Sequence, residues 1–73
     1  MKDRIIKVMK EVFEIENIDE TVSQKNCEKW DSLNHLNLVI ALEEEFNVSF
    51  EPEEIAQMKD YSAVEKLIKE KTI

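Results

Sequence analysis

The sequence predicts an all-α protein, a small four-helix bundle with a long loop between helices 1 and 2 and a short third helix. Three observations point there. The chain has no glycine and a single proline, Pro52, so the tight turns that join strands are costly to build. Its apolar residues recur three and four apart rather than alternately. Val, Ile, Leu and Phe make up 22 of the 73 residues, more than a disordered chain has, although 37% of the residues are charged. A chain of this length is read as one domain, residues 1–73. Such a domain buries only about 60% of its unfolded surface, which argues against deep pockets.

Between Met1 and Ile15, the residues Ile5, Ile6, Met9, Val12 and Phe13 share one side of a helix, with Arg4, Lys7, Lys10, Glu11 and Glu14 on the other. This first helix is expected to end near Glu16-Asn17, with Asn17 in the left-handed conformation that glycine usually supplies. Residues 17–31, NIDETVSQKNCEKWD, have no sustained period and many turn formers. They read as a long connection pinned to the core by Ile18, Val22 and Trp30, and loops of that length in small domains are often functional. The second helix is expected from Ser32 to Phe46, capped by Asp31 or Ser32 and stopped by Asn47. Pro52 followed by EEIAQM predicts a short third helix, since proline suits a first turn and Glu53 and Glu54 complement the positive end of the helix dipole. The last helix is expected to begin at SAVE, where Ser62 and Glu65 have capping-box spacing and Val64, Leu67 and Ile68 form the inward stripe.

The second helix, within KWDSLNHLNLVIALEEEF, has two apolar faces at ~100° per residue. Leu38, Val39, Leu42 and Phe46 form one; Leu33, Leu36 and Ile40 form another on roughly the opposite side. A small protein has one core, so the second stripe reads as a contact surface, continued by Glu43 and Glu44. Ser32 stands at the head of that stripe, at a helix N-terminus whose free N–H groups and dipole favour a phosphate.

The formal charge of −7 disfavours nucleic acid and anionic membrane surfaces and favours basic protein partners. Cys27 is alone, which excludes an intrachain disulfide. No stretch approaches a membrane span, and charges interrupt the apolar positions of MKDRIIKVMKEVFEIENIDE, unlike a signal peptide. A soluble, cytoplasmic monomer is expected.

The segment WDSLNHLNLVIALEEEFNVSFEPEEI resembles the acyl carrier protein family. It shares Asp-Ser-Leu at the start of a helix, an acidic close at LEEEF and a short proline-started helix. The likeness extends through the first helix, the long loop and YSAVEKLIKE, covering essentially the whole chain. The resemblance implies a discrete carrier that holds acyl groups as thioesters on a covalent 4'-phosphopantetheine arm, derived from coenzyme A and attached to Ser32. The pathway implied is fatty-acid, polyketide or a specialised acyl transfer. The partners implied are a phosphopantetheinyl transferase and acyl-loading and acyl-transfer enzymes with basic docking patches. They would be met by Asp31, Leu33, Leu36, Ile40, Glu43 and Glu44. Lys29-Trp30 replaces a commonly glycine-containing pair, and Asn34 and Asn37 stand where acidic residues are frequent. Charge around the serine is therefore weaker than in a typical fatty-acid carrier, which adjusts partner choice. A small bundle can also part its helices to shelter an acyl chain, with Phe46, Ile55 and Leu67 as lining.

The alternatives are a helical protein-interaction module with no prosthetic group, and an aminoacyl or peptidyl carrier. An enzyme is not expected. Ser32 and His35 are three apart with Asp31 nearby, but there is no glycine-containing nucleophile turn and no oxyanion site. His35 is read as a core-margin residue with its ring hydrogen-bonded. Cys27 with His35 falls short of a structural zinc set, and Glu51, Glu53 and Glu54 lack the spacing of a calcium loop.

Overall fold

Helix α1, Lys2–Phe13, opens the chain in a computed structural model that describes residues 1–72. It turns Ile5, Val8, Met9 and Phe13 into the core, with Ile6 and Val12 packed against its edge. The helix stops earlier than Glu16-Asn17. Glu14, not Asn17, takes the left-handed conformation, at φ 56° and ψ 44°. The reason lies in the next residue: the Ile15 N–H reaches back to the Lys10 carbonyl (3.2 Å), and its side chain packs on the core. That apolar contact normally accompanies such a closure. In a chain without glycine, it offsets the cost of a left-handed glutamate.

Residues 14–31 then cross to α2, Ser32–Phe46, anchored at several points. Val22, Cys27 and Trp30 are buried. Asp19 accepts from both the amide and the hydroxyl of Thr21, which together keep its carboxyl below the usual carboxylate range. Asn26 bonds the Ser23 amide and the Thr21 carbonyl, each at 2.9 Å. An isolated antiparallel bridge between Ser23 and Asp60 fastens this loop to the start of the last helix.

α1 and α2 run antiparallel. Phe13 lies against Trp30 at one end (centroids 5.3 Å apart), and Arg4 meets Glu45 and Phe46 at the other. Arg4 also donates to the Glu45 carbonyl at 2.7 Å, supplying a cation at the negative end of α2. Asn47 ends α2 in the left-handed conformation, as expected, and the Val48 N–H closes on the Glu43 carbonyl just as Ile15 closes α1.

The short helix α3, Pro52–Gln57, starts on Pro52 and has its first turn closed by a bond from the Glu51 N–H to Glu54 Oε1 (2.8 Å). Lys71 pairs with Glu54 at 2.9 Å and ties this turn to the end of helix α4, Tyr61–Lys71. Val64, Leu67 and Ile68 of α4 face inward as expected, but the capping does not follow the Ser62–Glu65 spacing. Asp60 caps instead, accepting from Ala63 N at 2.8 Å, and Ser62 is exposed. The start is set by Tyr61, whose N–H bonds the Val22 carbonyl (3.0 Å) and whose buried ring needs a partner for its hydroxyl. Glu65 is that partner, at 2.8 Å, and is not free to bend back to a cap.

Burial first, then the Glu65 hydrogen bond and nearby negative charge, pushes the Tyr61 phenol well above its usual range. The folded state thus holds this proton more tightly than the unfolded chain. Its contribution is complete below pH ~10 and is lost as pH rises beyond that. Tyr61→Phe should flatten the alkaline fall of the urea midpoint, measured from about pH 9 upward. Parallel falls in wild type and variant would detach the effect from Tyr61.

Candidate functional site

The start of α2 separates two roles that the sequence leaves open. Asp31, in extended conformation, is the cap: its Oδ1 accepts from Asn34 N at 2.9 Å. Ser32 is therefore the first residue of the helix and not its cap. It is exposed, and its hydroxyl has no hydrogen-bond partner among the described residues. A side chain that would ordinarily be explained by capping is left with no structural task.

Beyond Ser32, α2 presents the two expected faces. Leu38, Val39 and Leu42 are buried and Phe46 is half-buried against them. Leu33, Leu36 and Ile40 are 70%, 55% and 57% exposed, although each is large and aliphatic. At ~100° per residue they fall within about 60° of one another, with Ser32 at the head of the row. This is one patch and not scattered exposure.

The acidic residues expected to border the patch are not equivalent. Glu44 is exposed. Glu43 is half-buried, with one carboxylate oxygen on the Phe50 amide at 2.9 Å, holding the turn that leads to α3. Glu45 is turned to the α1 side, on Arg4.

His35 lies at the margin of the core with both ring nitrogens engaged. The indole N–H of Trp30 can only donate, so His35 Nδ1 accepts it (3.0 Å). The proton is then on Nε2, which donates to the Ile55 carbonyl at 2.8 Å. In this arrangement neither nitrogen holds the Ser32 hydroxyl, and the pair needed for a serine nucleophile is not formed.

Sequence reasoning missed this link from loop to α2 to α3. A signal was present: a tryptophan pinned to the core needs an acceptor for its N–H, and the only imidazole of the chain is five residues away. It also missed a shallow groove beside the serine, lined by Gln24, Trp30, Asp31, Ser32, His35 and Leu36. Cys27 is a buried thiol in the core cluster. Among the described residues, no three His, Cys, Asp or Glu side chains converge as a metal site, and no helix is long and apolar enough to cross a membrane. Compared with known proteins, the chain matches no family model and no curated protein.

Proposed function

We propose that the protein is an acyl carrier, with Ser32 as the attachment point of a 4'-phosphopantetheine arm. The observation that supports this most directly is the exposed Ser32 hydroxyl, released from capping by Asp31, at the head of an exposed aliphatic row. The resemblance of WDSLNHLNLVIALEEEF and the order of the four helices to the carrier family supply the rest. When bound, the arm offers a terminal thiol that carries acyl groups as thioesters.

The protein's own contributions are positional. Asp31 fixes the backbone of the first turn, from which the serine hydroxyl projects. The free amides and dipole of α2 favour the phosphate that would be joined there. Leu33, Leu36 and Ile40, bordered by Asp31, Glu43 and Glu44, make the face that partner enzymes read, starting with the transferase. Tethered delivery then raises the local concentration of thioester at each partner. On this reading the protein works as a cytoplasmic monomer and supplies no catalysis of its own.

The test is the intact mass after incubation with coenzyme A, Mg²⁺ and a broad-specificity phosphopantetheinyl transferase. A gain of one phosphopantetheine is expected. The exposed row alone would equally suit an interaction module without a prosthetic group, and an unchanged mass on folded protein would favour that reading.

A further inference from the structure

We infer that the docking face of α2 fits a partner surface built as an apolar cleft with cations only at its two ends, and not a broad basic patch. The inference rests on the carrier reading. Its starting point is the distribution of charge: from Ser32 to Leu42 the chain has no Asp, Glu, Lys or Arg. That stretch contains the entire row of Leu33, Leu36 and Ile40. The polar groups beside it are amides, and these are occupied. Asn34 Nδ2 donates to the Lys29 carbonyl (2.8 Å) and Asn37 Nδ2 to Asn34 Oδ1 (3.1 Å).

The carboxylates stand at either end, and several also make bonds within the fold. Asp31 is exposed beside the serine and accepts the Asn34 amide as the helix cap. Glu43 accepts the Phe50 amide, so a partner cation would compete with a bond that shapes the α2–α3 turn. Glu45 is neutralised by Arg4, whose guanidinium is also fixed by the Glu45 carbonyl and by the Phe46 ring, 4.5 Å from its centroid. Glu44 alone is exposed without a partner among the described residues, one turn beyond Ile40. The face is thus neutral and aliphatic from Ser32 to Leu42, with carboxylates only at its two ends.

Burying an aliphatic side chain contributes more than an exposed ion pair, so docking is led by the row and oriented by the carboxylates at its ends, of which Glu44 has no partner among the described residues. A second copy of this chain is a poor occupant, since each brings a formal charge of −7.

Two transferases serve as probes, one with an apolar carrier-binding cleft and one with a lysine- and arginine-rich face. The readout is kcat/KM for the carrier at saturating coenzyme A and Mg²⁺. The apolar probe should be the more efficient. With it, Ile40→Ala should lower kcat/KM about tenfold. Glu44→Gln should lower it at most about threefold, and added salt should have a similarly small effect. Circular dichroism checks that both variants fold. Preference for the basic probe, a larger loss from Glu44→Gln than from Ile40→Ala, or self-association through the row by sedimentation overturns this docking inference alone. Failure of both probes to modify folded wild type overturns the carrier reading and the inference with it.

Discussion

Ser32→Ala is expected to abolish phosphopantetheine attachment completely while changing the unfolding free energy by no more than about 0.5 kcal/mol. The two halves of that result have separate causes. Attachment needs an oxygen nucleophile at this position, and alanine has none. Stability is spared because the cap bond belongs to Asp31, whose Oδ1 holds Asn34 N, and because Ser32 is exposed. Alanine is also the better helix former, so the first turn of α2 is not weakened. Asp31→Ala provides the contrast. It removes the cap and should cost about 1 kcal/mol while leaving the hydroxyl in place. Urea unfolding and intact mass on the two variants therefore separate a serine kept for modification from one kept for structure. Loss of folding in Ser32→Ala would sink the carrier reading.

The legibility of this site in the sequence follows from how local its determinants are. Helix α2 is readable to both ends because its boundaries are chemical: Asp31 supplies the cap, and Asn47 tolerates the left-handed turn. Its two apolar faces are equally readable, since helical period alone places Leu33, Leu36 and Ile40 away from Leu38 and Leu42. The ends of α1 and α4 are not local in that sense. α1 stops at a left-handed glutamate because Ile15 finds a packing site, and α4 is capped at Asp60 because Tyr61 is claimed by Val22 and Glu65. Those choices depend on neighbours brought in by the fold, and spacing alone misassigned both.

The same distinction divides the site. That a serine heads the second stripe can be read from residues 31–40, but whether Asp31 or Ser32 takes the amide cannot. Nor can the pattern LEEEF reveal that its three glutamates have different fates. Glu43 turns toward Phe50 because the chain reverses at Asn47, and Glu45 meets Arg4 because α1 lies antiparallel to α2. The acidity read from the sequence as one docking feature is, in the folded chain, shared between a turn, a helix pair and a single carboxylate unpaired among the described residues.

Trp30→Ala is expected to cost about 3–5 kcal/mol, a loss that a chain of this size cannot absorb easily when whole domains have only about 5–15 kcal/mol. Trp30 is 3% exposed, stacks near Phe13 and donates to His35, so its removal opens a cavity where the long loop, α1 and α2 meet. Trp30→Phe should be milder, at about 1 kcal/mol for the lost hydrogen bond. It keeps an aromatic ring against Phe13, and Gln24 Nε2, 3.5 Å from His35 Nδ1, is placed to replace the lost donor. Leu36→Ala completes the series. It deletes a large aliphatic side chain from the outer face of α2, yet that side chain is 55% exposed and its loss should change stability by no more than about 0.5 kcal/mol. Urea midpoints for the three variants set the buried junction of loop, α1 and α2 against the outer face of α2. A large loss from Leu36→Ala would mean that the outer row supports the fold, and would remove the reason for assigning that row to a partner.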